Sequence, residues 1–111
     1  MNNQHDQQTS DTWLHLSLIE QLANIGSEVI RAINWKNKGN QVYSQLAFER
    51  ALELFDLTLA DAKNSQRAKE VCRAREMWVD SFGDNLYQST DSQWQKYFLE
   101  FNYAAQNLKG K

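Results

Sequence analysis

Apolar residues recur every three or four positions along most of the chain, which is the spacing of one face of an α-helix. The first such run begins after Ser17, which forms a capping-box pair with Glu20. It ends near Gly39, a typical C-terminal stop after Lys36 and Lys38. Its apolar face comprises Leu18, Leu22, Ile25, Val29 and Ile33, widened by Ile19, Gly26 and Ile30.

The second predicted helix, from about Gln41 to Ala62, is apolar around most of its circumference. Only Glu49, Glu53 and Asp56 form a narrow polar strip along it. A helix of this kind is buried on more than one side. We therefore expect it either at the centre of the fold or at an oligomer interface. Its apolar residues are Leu46, Ala47, Phe48, Ala51, Leu52, Leu54, Phe55, Leu57 and Leu59.

The residues from Ala62 to Gln66 predict a turn, with Asn64 or Ser65 as the N-cap of a third helix. That helix ends near Phe82, where the next residue, a glycine, can adopt the left-handed cap conformation. The inner side of the third helix is predicted to carry Ala68, Val71, Cys72, Arg75, Trp78, Val79 and Phe82, followed by Gly83 as the cap.

A loop is predicted from Asp84 to Ser89, before a fourth helix. Thr90 and Gln93 form a second capping-box pair at the start of that helix. Its apolar positions at helical spacing are Trp94, Phe98, Phe101, Ala105 and Leu108, and Gly110 closes the pattern.

Four helices with short connections predict an all-α fold, an antiparallel up-down four-helix bundle. The 111 residues contain no proline and are 41% hydrophobic, which suits long uninterrupted helices in one globular domain. Residues 1–12 are rich in Asn, Gln, Asp and Ser and are predicted to form a disordered polar tail. The single four-helix domain is then expected over residues 13–111.

The sequence predicts a cytoplasmic protein without a membrane segment. Cys72 is the single cysteine, so no internal disulfide can form, which fits a reducing compartment. The N-terminus lacks the pattern of a signal peptide, and no apolar run approaches the roughly 20 residues of a spanning helix. The formal net charge of −2 argues against a dedicated polyanion binder.

No catalytic, metal or cofactor site is predicted from the sequence. The two histidines, His5 and His15, precede the first predicted helix and lack the Glu-x-x-His spacing of bundle di-iron sites. Cys72 has no histidine partner on a helix and is interpreted as a buried core thiol; the alternative, if Cys72 is exposed, is a reactive thiol activated by Arg73 and Arg75. The glycines are isolated, so no phosphate-binding loop is present. The protein is therefore predicted to be a non-enzyme.

Candidate binding residues come from a mid-helix glycine, from aromatic residues near arginines and from two basic segments, Arg31–Lys38 and Lys63–Arg75. Gly26 indicates either the close approach of a helix or bulky aromatic, or room for a ligand. The basic segments indicate a surface for RNA or for an acidic partner, or merely solvated helix faces. In an up-down bundle they lie at opposite ends. The predicted binding residues are Gly26, Trp35, Lys36, Arg67, Lys69, Arg73 and Arg75.

The stretches Glu20–Arg31, Phe48–Leu59 and Gly83–Asp91 are similar to short bacterial and archaeal proteins of unassigned function. More distantly, the arrangement resembles the HEPN class of small four-helix proteins. Members of that class often act as RNases or as partners of nucleotidyltransferases in toxin–antitoxin pairs. Their catalytic signature is an arginine followed after four to six residues by a histidine. Here both histidines precede Arg31, the first arginine, so the resemblance implies a non-catalytic member.

These observations lead to one main functional hypothesis and one alternative. The main hypothesis is a non-enzymatic helical interaction module that forms a homo-oligomer or binds a protein partner. The alternative is an RNA- or DNA-binding accessory subunit that uses the basic segments, in a toxin–antitoxin or defence context. A small-molecule enzyme would require a deep pocket with convergent polar groups.

Overall fold

A computed structural model describes residues 11–109, and these residues form helices and turns without a β-strand. The all-α class is therefore confirmed for this part of the chain. Of the predicted tail, residues 1–10 lie outside the described residues, whereas 11 and 12 begin a short helical turn at 11–14. The longer helices are α1 (Leu18–Asn37), α2 (Gln41–Ala60), a 3-10 helix (Ala62–Arg67), α3 (Ala68–Phe82) and α4 (Asp91–Lys109).

Both predicted capping boxes are confirmed. At the start of α1, Ser17 Oγ accepts a hydrogen bond from Glu20 N at 3.1 Å, and Glu20 Oε1 accepts one from Ser17 N at 3.0 Å. At the start of α4, Thr90 and Gln93 exchange the same pair of bonds at 3.1 and 2.9 Å. Gly39 stops α1 with a φ of +82°, which a glycine adopts without steric cost.

Two other predicted helix ends are wrong. The start of α3 follows Arg67, which makes no side-chain cap, while Asn64 turns its amide into the interior. Gly83 ends α3 with a φ of −100°, so it is not the left-handed residue of this connection. The left-handed positions are Asn85 and Gln88, at φ values of 51° and 56°.

Helix α1 lies at the centre of the packing, with α2 on one side and α4 on the other, and α2 also packs against α3. Its own apolar face is almost completely buried. The residues of the shared core, which come from the N-terminal turn and the four long helices, are Trp13, Leu22, Ile25, Val29, Ala32, Ile33, Ala47, Ala51, Leu54, Phe55, Val71, Ala74, Trp78, Trp94 and Phe98.

The predicted inner side of α3 needs correction. Cys72 is exposed, and so is Val79, because α3 directs Val71, Ala74 and Trp78 into the core. Adjacent helical residues differ in direction by about 100°, so Cys72 falls outside this stripe. The interpretation of Cys72 as a buried core thiol is therefore wrong.

A buried polar network joins the N-terminal turn to α1, to the end of α2 and to the 3-10 helix. Gln21 Nε2 donates to the Trp13 carbonyl at 2.9 Å and to Asp61 Oδ2 at 3.0 Å, and Gln21 Oε1 accepts from Asn64 Nδ2 at 2.8 Å. Trp13 Nε1 donates to Thr58 Oγ1 at 3.0 Å. Trp13, which precedes the first predicted helix, is thus a core residue that is only 6% exposed.

Lys63 completes this network at its outer edge. Its ammonium group contacts the Asp61 carboxylate and donates to the Leu14 carbonyl at 3.3 Å. Its backbone N–H donates to Asp61 Oδ1 at 3.2 Å. The hydrogen bonds from Lys63, aided by the one from Gln21, hold the pKa of Asp61 below its ordinary value although burial opposes this shift. The folded protein therefore favours the ionised carboxylate.

We predict that the ionised Asp61 carboxylate stabilises the folded protein, so that the free energy of unfolding decreases as the pH falls. Its contribution is present above the unfolded-state pKa of about 3.9 and is lost as the pH falls through the lower folded-state pKa. The variant Asp61→Asn should therefore be less stable than the native protein at pH 7, with a smaller difference at pH 3. Urea unfolding at both pH values measures this. For the exposed control Asp84→Asn, the difference in unfolding free energy from the native protein should not shrink between pH 7 and pH 3. If the difference for Asp61→Asn is the same at both pH values, the prediction is wrong.

Gly26 allows α4 to approach α1 closely. A Cβ atom built on Gly26 would lie 2.7 Å from Phe98 Cβ, well inside van der Waals contact. Phe98 is buried in the core, so its ring cannot swing into solvent. The space beside the glycine is thus occupied by a bulky aromatic, one of the two interpretations of this position.

We predict that Gly26→Ala destabilises the protein by about 1–3 kcal/mol, because overpacking outweighs the better helix propensity of alanine. Chemical unfolding measures the change. Ser27→Ala, at the exposed neighbouring position, is the control and should be close to neutral. Combining Gly26→Ala with Phe98→Ala should cost less than the sum of the two changes, since alanine lacks the Phe98 Cγ and Cδ1 atoms that lie 2.8 and 2.9 Å from the added Cβ. Strict additivity would contradict the packing explanation.

Candidate functional site

The predicted binding residues do not converge on one surface. Gly26 lies beneath α4, whereas the aromatic and basic candidates lie at the end of α1 and along α3. Several cations are paired with acids. The closest approaches are 3.3 Å for Lys36 with Asp91, 2.6 Å for Arg67 with Glu70, and 2.7 Å for Arg75 with Asp56.

Arg73 and Lys69 differ from these paired cations. Both are exposed on α3, and neither forms an ion pair within residues 11–109. Arg75, two residues after Arg73, contacts Asp56 instead. Of the four basic candidates near α3, Arg67 and Arg75 are therefore neutralised locally, whereas Lys69 and Arg73 are not paired within residues 11–109.

A first candidate surface, here called the α1–α2 surface, consists of Trp35, Val42, Tyr43 and Leu46. The last three are 67%, 50% and 58% exposed, although all are large apolar or aromatic side chains. Tyr43 meets the Trp35 ring edge-on at 4.9 Å between centroids, and the Lys38 ammonium lies 5.2 Å from the Trp35 ring centre. Positions three or four apart on a helix share a face, so these residues of α2 form one patch.

Two ion pairs border the α1–α2 surface and balance its charge. Arg31 pairs with Glu28 at 3.2 Å on α1, and Arg50 approaches Glu53 at 3.7 Å on α2. Together with the aromatic residues, three of these four charged side chains line a shallow depression of about 360 Å³; only Glu53 does not. The surface is thus an apolar centre with a polar rim.

A second candidate, here called the α3–α4 groove, has a volume of about 380 Å³. Its walls come from α3, from the loop before α4 and from the first two turns of α4. The lining combines apolar and aromatic side chains with a few polar ones. The lining residues are Glu70, Arg73, Ala74, Met77, Tyr87, Ser89, Gln93, Trp94 and Tyr97.

The Tyr97 hydroxyl is fixed at one side of the groove. It donates to Glu70 Oε2 at 3.3 Å, while the other carboxylate oxygen of Glu70 accepts from Arg67. Burial, with a smaller contribution from the Glu70 charge, raises the pKa of Tyr97 to about 12. Tyr97 is therefore a neutral phenol at physiological pH, and the Glu70 carboxylate is already engaged on both sides.

Two polar atoms of groove-lining residues lack a hydrogen-bond partner among the described residues. They are Ser89 Oγ and the indole Nε1 of Trp94, and each is almost completely buried. A buried donor without an acceptor costs about 1–3 kcal/mol. Such atoms are rare in native proteins and call for an explanation.

The loop beside the groove is held in an unusual conformation. Asn85 and Gln88 both adopt positive φ values, which asparagine adopts fairly readily but which cost glutamine free energy. Between them, the backbone N–H groups of Leu86 and Tyr87 donate to the two carboxylate oxygens of Asp80 at 2.8 and 3.0 Å. The Asp80 side chain thus ties the loop to α3 and presents two largely exposed side chains.

Sequence reasoning missed the groove and the Asp80 anchor. The sequence predicted Trp94 only as an apolar position of the fourth helix and did not single out Asp80. A detectable signal existed for the buried network: Gln21 stands within the apolar stripe of α1, three residues after Leu18 and four before Ile25. A polar residue in such a stripe is buried and needs partners.

Comparison with known proteins gave no match to a family model, to a curated protein or to a solved structure. Within residues 11–109, no three side chains of His, Cys, Asp or Glu come together as metal ligands. No helix in the same part of the chain has the length and apolarity needed to cross a membrane.

We predict that Asp80→Ala frees the loop while the helical core stays folded. The carboxylate makes two charge-assisted bonds to the loop, each worth about 1.5–3 kcal/mol. Amide hydrogen exchange at Leu86 and Tyr87 should therefore accelerate by tenfold or more. Asp84→Ala, in the exposed part of the same connection, is the control and should leave both rates unchanged. Equal exchange rates of these two amides in the native protein and in Asp80→Ala would show that contacts other than the Asp80 carboxylate hold the loop.

Proposed function

We propose that this protein is a non-enzymatic helical interaction module that forms a homo-oligomer or binds a protein partner through the α1–α2 surface. The exposed apolar cluster of Val42, Tyr43 and Leu46 carries the proposal. Protein interfaces are enriched in tyrosine, tryptophan and arginine, with an apolar centre and a polar rim. The α1–α2 surface has this composition and this arrangement.

We further propose that the four long helices form the antiparallel up-down bundle predicted from the sequence. The packing of α1 between α2 and α4 supports it, as does the packing of α3 on α2. The rings of Trp78 on α3 and Trp94 on α4 meet edge-on at 5.4 Å between centroids. Contact between these two helices would close the ring of four.

An RNA- or DNA-binding accessory role is the second candidate, and it would fit a non-catalytic HEPN-like protein. Lys69 and Arg73 favour it because both are exposed on α3 and neither has an acid partner among residues 11–109. Against it, Lys36, Arg67 and Arg75 are neutralised by acids. Nucleic-acid binding depends on the number of phosphates neutralised, so two free cations support only weak binding.

We predict that Leu46→Glu disrupts assembly without unfolding the protein. Leu46 is already exposed, whereas at an interface a new charge would lose its hydration. The association constant should fall at least tenfold, which corresponds to about 1.4 kcal/mol. Native mass spectrometry and sedimentation over a concentration series measure self-association, and purification of the tagged protein from its own cells, with and without nuclease, measures partner binding.

The matched control is Gln66→Glu, which adds the same charge at an exposed position beyond the opposite end of α2. It should retain the native mass and the same partner. A native protein that is monomeric at all concentrations and recovers no partner would refute the proposal. Nuclease-sensitive recovery of nucleic acid, lost in Arg73→Gln and at high salt, would support the second candidate instead.

A further inference from the structure

We propose that the α3–α4 groove binds a small aromatic monocarboxylate. The volume of about 380 Å³ falls within the range of small-molecule sites, about 300–1,000 Å³. Met77, Trp94 and Tyr97 provide an apolar wall for an aromatic body, and such sites usually add a few polar groups that orient the ligand. The inference concerns a different surface from the α1–α2 surface and does not depend on it.

The unpartnered polar groups of the groove favour a ligand that carries hydrogen-bond acceptors. The indole N–H of Trp94 can only donate, and it has no acceptor among the described residues. Ser89 Oγ likewise has no partner there. Both atoms belong to side chains that line the groove, so a ligand bound there is one source of the missing bonds. A ligand with strong acceptor oxygens would remove both penalties.

The positive charge on the wall of the groove favours an anionic ligand. Arg73 lines the groove, is exposed and forms no ion pair within residues 11–109. Glu70, the acid on the same wall, accepts hydrogen bonds from Arg67 and from the Tyr97 hydroxyl, so its charge is compensated. The guanidinium of Arg73 can therefore form charge-assisted bonds to a carboxylate, which are roughly twice as strong as neutral ones.

Ligand binding requires a side chain to move, and we expect this side chain to belong to the loop beside the groove. Trp94 Nε1 has almost no exposed surface, so a ligand oxygen reaches it only when a lining side chain shifts. Tyr87 lines the groove, is 60% exposed and lies between the two positive-φ residues Asn85 and Gln88. Strain of this kind is concentrated at ligand clamps and switch segments. Tyr87 is thus the side chain that we expect to rearrange around the ligand.

The test uses the ¹⁵N-labelled protein, residues 1–111, and 3-phenylpropionate as the probe. The indole N–H signal of Trp94, assigned with the variant Trp94→Phe, reports on the groove in ¹H–¹⁵N spectra. We expect a saturable shift of this signal with the probe. The neutral analogue 3-phenylpropanamide should bind at least about tenfold more weakly, because it forms no charge-assisted bond to Arg73.

Two matched variants localise the charge effect. Arg73→Gln should weaken binding of 3-phenylpropionate at least about tenfold, whereas Lys69→Gln, which removes the other unpaired cation of α3 outside the groove, should change it less than twofold. Both positions are exposed, so the fold is retained, which circular dichroism checks. Ser89→Ala should weaken binding by a smaller factor than Arg73→Gln.

Three results would overturn the inference. They are no shift of the Trp94 indole signal at millimolar probe, equal binding of the acid and the amide, and unchanged binding in Arg73→Gln. A peptide ending in phenylalanine that binds more than tenfold tighter than 3-phenylpropionate would also overturn it, in favour of a protein ligand. The variant Leu46→Glu should bind 3-phenylpropionate as tightly as the native protein. A result that refutes the proposed role of the α1–α2 surface can therefore be told apart from one that refutes ligand binding in the groove.

Discussion

Burial of the Gln21 side chain in the apolar face of α1 is the constraint on which the packing of this protein depends. A buried amide is costly unless its donors and acceptor are paired. Its partners come from two separate segments: Trp13 before α1, and the turn after α2 that contains both Asp61 and Asn64. These segments must therefore arrive in one relative position, which a purely apolar core would specify less sharply.

That arrangement determines where α3 and α4 can lie. The buried Asn64 directs the chain through the 3-10 helix, so α3 begins against α2 with Trp78 facing the core. Gly26 then lets Phe98 of α4 lie directly on α1. With α4 held close to α1, its first turns stand apart from the outer part of α3, and the loop tied by Asp80 borders the groove between them.

The parts of the fold that were predictable from the sequence are those determined locally. Capping boxes at Ser17 and Thr90 involve residues three positions apart, so their pattern is visible in the chain itself. The burial of Trp13 and the exposure of Cys72 depend on contacts with distant elements, and local spacing cannot supply these. The groove was not predictable for the same reason, since Arg73 and Trp94 belong to different helices.

The two candidate surfaces differ in shape and in polar chemistry, and this difference separates their proposed ligands. The α1–α2 surface is shallow, and its arginines already pair with glutamates, so it offers apolar area and few unmet hydrogen bonds. Another protein surface supplies matching area. The α3–α4 groove is concave, and within residues 11–109 its Arg73 forms no ion pair and its Trp94 indole N–H has no acceptor. These groups favour an anionic ligand with acceptor oxygens, and the volume of the groove is that of a small-molecule site.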